Sequence, residues 1–114
     1  MRIERFEDII SWQKAKKMAI MVYETFERSK DYAFRDQIQR ASVSIMNNIA
    51  EGFERKTNNE FRQFLYIAKG SCGEVRSMLI LSKDLNKLKN DDFEKLYMLS
   101  VEISKLLSGL IKTL

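Results

Sequence analysis

The sequence contains no histidine, no proline, one cysteine and four glycines in 114 residues. Without histidine, a Ser-His-Asp triad and a histidine general base are excluded, and a single cysteine excludes a disulfide framework. The same two scarcities argue against a zinc site. Few prolines and glycines argue against a many-stranded sandwich or barrel, which needs turn residues at short intervals. The composition therefore favours an all-α protein and disfavours most familiar enzyme classes.

The residues that are present predict one folded domain covering residues 1–114. Hydrophobic residues make up 45% and charged residues 32%, which is enough apolar material for a core. The net charge of +4 permits contact with RNA without requiring it. Three of the first five residues are charged, and no run approaches 18 uncharged apolar residues. We therefore expect a cytoplasmic protein with no membrane partner.

Apolar residues recur three and four positions apart in four segments, a spacing that places them on one face of a helix. Polar residues suited to capping stand before the last three segments, at Ser29–Asp31, Thr57–Glu60 and Asn90–Asp92. The third segment continues to about Leu88. Short connections predict an antiparallel up-down-up-down four-helix bundle. The four apolar sets are Trp12, Ala15, Ala19, Val22 and Phe26; Phe34, Ile38, Ala41, Ile45, Asn48 and Gly52; Phe61, Leu65, Ala68, Cys72, Val75, Leu79 and Ser82; and Phe93, Leu96, Ser100, Ile103, Leu107, Leu110 and Leu114.

Helix three carries more apolar surface than one core can use. Helix four likewise adds Leu99 and Leu106 to its own set. Surplus apolar surface predicts a homo-oligomer, with Leu81 and Leu85 in the interface. The alternative is a slightly irregular core with a few exposed leucines, as many soluble proteins have. The second apolar stripe of helix three consists of Phe64, Ile67, Ser71, Met78, Leu81, Leu85 and Leu88.

Helix two shows a line of polar residues at the spacing of a helix face. Because polar groups on a packed face are costly unless they pair, the line predicts a hydrogen-bonded network between helices or subunits. Gly70, Ser71 and Gly73 in helix three support a close approach of helices there. The alternative is a solvated face. The residues of this polar line are Gln37, Arg40, Ser44, Asn48 and Glu51.

Helix three also carries four basic residues exactly seven positions apart, which form one stripe. We call Arg62, Lys69, Arg76 and Lys83 the basic ladder. A stripe of this kind can follow the phosphates of an RNA, so the ladder is a candidate RNA-binding site. The alternative is that the ladder pairs with carboxylates of a neighbouring subunit, in a protein-interaction scaffold without RNA contact.

No group of residues points to catalysis. The stretch Gly70–Gly73 is not a G-x-S-x-G motif and lies within a helix, and Cys72 is expected to be a buried, unreactive thiol. Glu51, Glu54, Glu60 and Glu74 lack the Glu-x-x-His pairs of a di-iron bundle. We therefore expect no enzymatic activity, no metal, no cofactor and no small-molecule substrate.

Two adjacent stretches resemble a known family. The pattern Q-x-x-R-A-x-x-S-I runs from Gln37 to Ile45, and N-I-A-E-G follows from Asn48 to Gly52. With the residues around them, these stretches resemble the four-helix bundle proteins encoded in intervening sequences of bacterial 23S ribosomal RNA genes. One departure is Met46, where the family usually has proline. The other residues that carry the resemblance are Trp12, Ala15, Val22, Tyr23, Phe61, Phe64, Leu65, Ile67, Ala68, Gly70, Ser71 and Glu74.

The resemblance implies an oligomer rather than an enzyme. Members of the family assemble into ring-like pentamers, and related accessory proteins of diversity-generating retroelements bind RNA and a reverse transcriptase. The resemblance therefore implies a homo-oligomeric bundle that binds a partner. The residues that would take part in an interface or polar network are Gln37, Arg40, Ser44, Asn48, Glu51 and Glu74. RNA or another protein would be the partner.

Overall fold

The computed structural model describes residues 3–114, which form four α-helices after a short 3-10 turn at Phe6–Asp8. Each helix follows one of the predicted apolar sets. The helices are therefore those that the spacing of apolar residues predicts. Their bounds are Ile10–Phe26 for α1, Tyr32–Phe53 for α2, Asn58–Asp84 for α3 and Asn90–Lys112 for α4.

The helices form an antiparallel four-helix bundle that measures 43 × 22 × 19 Å. Each helix packs against the next one in the chain, and α1 also packs against α4, which closes the bundle. Within the described part of the chain, no backbone contact joins α1 to α3 or α2 to α4, so these pairs stand at diagonal corners. The predicted up-down-up-down architecture is confirmed.

The core consists of the predicted apolar sets with a few exchanges. Met18, Ile49 and Leu99 are buried in addition to the predicted residues, whereas Trp12 and Asn48 of the predicted sets are half-buried. Burial of Leu99 corrects the expectation that it adds surplus surface to the fourth helix. At the end of α4 the buried residue is Ile111, while Leu110 and Leu114 are half-buried. The core therefore continues from Leu107 by a step of four residues, because that step keeps the side chain pointing inward.

Two of the predicted helix starts are capped by the predicted side chains. The Asp31 carboxylate accepts from the backbone N–H of Phe34 at 3.2 Å, and the Thr57 hydroxyl accepts from that of Glu60 at 3.2 Å. The Glu60 carboxylate binds the Thr57 hydroxyl instead of the backbone, so only half of the capping box forms. The start of α4 has no side-chain cap, but Asp91 and Asp92 lie in its first turn, where the helix dipole favours acids.

Helix α3 ends at Asp84, four residues before the predicted end at Leu88. Asn86 adopts a left-handed backbone conformation with φ of 56°, which asparagine tolerates better than most residues. The backbone N–H groups of Asn86 and Lys87 donate to the carbonyls of Lys83 and Ser82, at 3.1 and 2.9 Å. These are the two hydrogen bonds of a Schellman motif, which terminates the helix although the apolar spacing continues.

Candidate functional site

The polar line of α2 faces α3, and hydrogen bonds connect the two helices. The Gln37 side-chain amide donates to the Glu74 carboxylate, and the hydroxyls of Ser44 and Ser71 are 3.0 Å apart. Asn48 donates to the carbonyl and the hydroxyl oxygens of Ser44, at 2.8 and 2.9 Å. The middle of the line is therefore a hydrogen-bonded network that joins α2 to α3.

The two ends of the polar line are exposed in the single chain. The Arg40 guanidinium donates to the side-chain oxygen of Gln37 at 3.1 Å, and Arg55 binds the Glu51 carboxylate at 3.0 Å. Gln37, Arg40 and Glu51 are exposed, as is Glu74 of α3, whereas Ser44 and Asn48 are half-buried. Burial of the whole line would therefore need a second subunit, and a role in an interface stays a prediction.

Gly52 makes the close helix approach for which the sequence suggested Gly70 and Gly73. A Cβ atom on Gly52 would lie 2.6 Å from the Cβ of Phe64 and 3.0 Å from a ring carbon of Phe61. A Cβ on Gly70 or Gly73 would meet no atom within 4 Å. The signal for Gly52 was its place in the apolar set of α2, and the two α3 glycines border open space instead.

The basic ladder lies along the side of α3 that borders α4, and its two outer members contact that helix. The Arg62 guanidinium donates to the backbone oxygen of Leu114 and, at 2.6 Å, to the side-chain oxygen of Asn59. The Lys83 ammonium lies 4.6 Å from the ring centre of Phe93, a cation–π distance. Lys69 and Arg76 are half-buried and form no ion pair among residues 3–114. These middle members are the better candidates for an external anion.

Leu81 lies on the side of α3 that points away from the core, and Leu85, the residue directly after the end of α3, lies on the same side. Their exposed fractions are 49% and 53%. Three further large apolar side chains on this helix are also 46% exposed or more, namely Tyr66, Ile67 and Ile80. We call these five residues, with Gly70 between them, the outer face of α3. It places a large part of the exposed apolar surface on one helix.

The lone thiol is buried and points into the bundle. The Cys72 thiol donates to the backbone oxygen of Ser100 at 3.1 Å. Burial raises the pKa of the Cys72 thiol to about 11, although the nearby Arg76 charge acts in the opposite direction. The group is therefore a protonated thiol near neutral pH, and a poor nucleophile.

Two other features bear on function. Among residues 3–114, no three cysteine or carboxylate side chains come close enough together to hold a metal ion. In that same range, no helix combines the length and the apolar character that crossing a membrane requires. The candidate site residues lie in three surface features: the outer face of α3, the α2–α3 polar network and the basic ladder.

These features define a small all-helical bundle protein with an incompletely covered apolar face. A family model described as 23S rRNA-intervening sequence protein matches residues 7–109, and the chain belongs to this family. A solved structure from Bacteroides thetaiotaomicron VPI-5482, a protein of unknown function from the S23 ribosomal protein family, is similar with a TM-score of 0.85. Its sequence is 26% identical, over 90% of this chain and 99% of that one. No curated protein matches the chain.

Proposed function

We propose that the protein is a non-enzymatic homo-oligomer that assembles in the cytoplasm through the outer face of α3. The observation that carries the proposal is the exposure of five large apolar side chains on this one helix. Scattered exposed leucines are ordinary, but several large exposed apolar side chains on one side of a helix are typical of an interaction surface. Open space beside Gly70 and Gly73 adds support, because another backbone could approach closely there.

The pentameric state and the absence of catalysis are supported by other observations. A pentameric ring is supported by the resemblance to ring-forming proteins of the same kind. The absence of catalysis is supported by the lack of histidine and by the protonated, buried Cys72 thiol. The protein would then act as an assembly that presents repeated surfaces to a partner.

Light scattering on the purified protein tests the assembly. We expect a mass about five times the 13.5 kDa of one chain. Leu81→Glu and Leu85→Glu should each return a monomer, because a buried carboxylate in an apolar interface cannot be solvated. Tyr32→Glu is the matched control, since Tyr32 is 60% exposed but lies on α2. A wild-type chain that remains a monomer at micromolar concentration would refute the proposal.

A second candidate function is RNA association through the basic ladder. The observation that favours it is the pair Lys69 and Arg76, which have no ion-pair partner among residues 3–114 and lie on one stripe. An assembly would repeat this pair once per subunit, and phosphate contacts depend strongly on the number of cations. Without RNA contact, the same assembly would serve as a protein-interaction scaffold.

Salt-dependent RNA binding separates the two candidates. Lys69→Glu with Arg76→Glu should lower the slope of log affinity against log salt by about 1.4 per engaged subunit on a single strand, since each lost contact removes about 0.7. These residues are preferable to Arg62, whose replacement would also break the contact to Leu114. Lys30→Glu with Lys56→Glu is the control, with the same charge change on exposed residues outside α3. Absence of RNA binding by the wild type at low salt would favour the scaffold.

A further inference from the structure

A long groove with an apolar floor runs between α1 and α4. One part of it has a volume of about 700 Å³, and its floor includes Ile10, Val101 and Leu106. It continues past Met98 into a second part that Met21 and Leu99 line. Ile10 and Met98 are 54% and 67% exposed, so the groove is an apolar surface that the bundle leaves uncovered.

The groove matches the outer face of α3 in length and shape. Along α4 its lining residues extend from Lys95 to Thr113, which is about 27 Å at 1.5 Å per residue. The outer face of α3 from Tyr66 to Leu85 spans about 28 Å. One surface is a single helix ridge, and the other is a channel between two helices. A Cβ on Gly109 would meet no atom within 4 Å, so the channel is open at that end.

The two surfaces also carry opposite charges. Lys17 and Lys95 stand at the edges of the groove, as does Lys105, and none of the three forms an ion pair among residues 3–114. The one acid there, Glu102, is paired with Lys14 at 3.5 Å.

Two exposed carboxylates lie on the same side of α3 as the outer face. Glu74 and Asp84 have no ion-pair partner in the described range, although the Glu74 carboxylate accepts from the Gln37 side-chain amide. Lys83 is also exposed, but its ammonium is directed to the Phe93 ring of α4. Lysines at the groove would therefore meet carboxylates from α3, an arrangement that favours this pairing over contact between two α3 faces.

One subunit can use both surfaces at once. Helices α1 and α3 stand at diagonal corners of the bundle, so the outer face of α3 points away from the groove beside α1. A contact between two unlike surfaces is heterologous, and its repetition gives a closed ring or a filament. A contact between two α3 faces would instead be two-fold and would stop at a dimer.

We propose that the groove between α1 and α4 is the binding site for the outer face of α3 from a second copy of this chain. The proposal rests on the proposed function, because it names the receiving surface of that assembly. Leu81 and Ile67 of one copy lie against Met98 and Val101 of the next, and Lys17 and Lys95 face the carboxylates of the incoming helix.

Two interface variants and their mixture test this geometry by light scattering and native mass spectrometry. Met98→Glu damages the groove and Leu81→Glu damages the α3 face. Each should be a folded monomer, which circular dichroism would check, since both side chains are about half exposed or more. Mixed in equal amounts, they should form a heterodimer, because each contributes the surface that the other has lost. Tyr23→Glu, at an exposed α1 position that does not line the groove, should assemble as the wild type does.

The outcomes separate this proposal from the more general one. A monomeric wild type overturns both. If the wild type assembles and Met98→Glu still assembles, or if two monomeric variants form no heterodimer, the groove is not the receiving surface and the assembly itself stands. A heterodimer supports the groove, because two chains that fail separately can associate only through two unlike surfaces.

A separate measurement tests the role of the groove lysines in the assembly. Lys17→Glu with Lys95→Glu should raise the concentration at which the assembly dissociates by about tenfold or more, because like charges then face each other. Lys30→Glu with Lys56→Glu makes the same change in net charge away from the groove and should leave that concentration unaltered. An equal effect of both pairs would contradict a specific role for the groove lysines.

Discussion

The α2–α3 contact and the α1–α4 contact belong to the same bundle but differ in how completely they are closed. Helices α2 and α3 share the most extensive packing, with Gly52 against Phe61 and Phe64 and with the Ser44–Ser71 hydrogen bond across it. Of the four pairs of neighbouring helices, α1 and α4 share the least packing, and a groove remains between them. The α2–α3 contact is closed within the chain, whereas the α1–α4 contact leaves apolar surface uncovered.

The difference between the two contacts shows how polar and apolar side chains act at helix contacts in a small bundle. Short and polar side chains at the α2–α3 contact bring two helices close and satisfy each other's hydrogen bonds, so no third surface is required. Apolar side chains along α1 and α4 remain half exposed because no loop or fifth helix of the described chain covers them. The predictions that follow probe the closed contact first and then the bundle around it.

The largest change in the free energy of unfolding is expected from a substitution at Gly52. Gly52→Ala places a Cβ 2.6 Å from the Cβ of Phe64, which forces the helices apart and should lower the free energy of unfolding by about 2 kcal/mol. The matched change Gly109→Ala, at the open groove, should raise it by about 0.5 to 1 kcal/mol, since alanine is the better helix former. Urea unfolding of both in a Leu81→Glu background would measure this. Equal effects would show that the two contacts are equally closed.

A smaller effect, of opposite sign, is expected at Ser82. Its hydroxyl is buried and has no hydrogen-bond partner among the described residues, so Ser82→Ala should raise the free energy of unfolding by about 1 kcal/mol. Ser100→Ala is the control, because the Ser100 hydroxyl donates to the carbonyl of Tyr97 at 2.6 Å. Thermal unfolding would compare the two. A Ser82→Ala variant less stable than Ser100→Ala would contradict this assignment.

The hydrogen bonds of Asn48 should contribute a comparable or slightly smaller amount to the free energy of unfolding. Asn48→Ala removes the two hydrogen bonds to Ser44 and should lower the free energy of unfolding by about 1 kcal/mol relative to Asn47→Ala. Asn47 is exposed on the same helix, so its replacement reports the gain in helix propensity alone. Denaturant midpoints of the two variants give the difference. Identical midpoints would mean that the network does not stabilise the closed contact.

The smallest change in stability is expected at Asp31, in the loop between α1 and α2. The backbone N–H of Phe34 and the Lys87 side chain, 3.2 Å away, lower the pKa of the exposed Asp31 carboxyl. A lowered pKa in the folded state stabilises the protein above the ordinary pKa of aspartate, and this stability is lost as the pH falls through the lowered value. Asp31→Asn keeps a capping side chain but does not titrate, so its melting temperature should fall less on acidification below pH 4. Identical acid profiles would contradict this role for Asp31.

The sequence predicts the helices well because burial requires apolar residues at helical spacing. Phe34, Ile38 and Ile45 could be assigned to the core from that spacing alone, and each is buried. The end of α3 could not be predicted in this way, since the apolar spacing continues to Leu88. The left-handed conformation of Asn86 ends the helix, and only the backbone of the folded chain shows it.

The sequence predicted which residues belong to the candidate site, but it did not predict which of them contact each other. Ser44, Asn48 and Glu74 were found by their spacing and their resemblance to a family, but their partners across the α2–α3 contact depend on the register between two helices. The groove between α1 and α4 left no sequence signal of its own, because its floor combines residues such as Ile10 and Leu106 that are almost a hundred positions apart.

What the sequence by itself determined is the class of structure and the surplus of apolar surface. Periodicity acts along one helix, so it predicts which residues are apolar neighbours on the same face. Only the tertiary structure decided which glycine lies against another helix, which cations of the ladder are already occupied, and where the groove opens. Those properties depend on the distances between helices, and these distances follow from how the side chains of all four helices pack together.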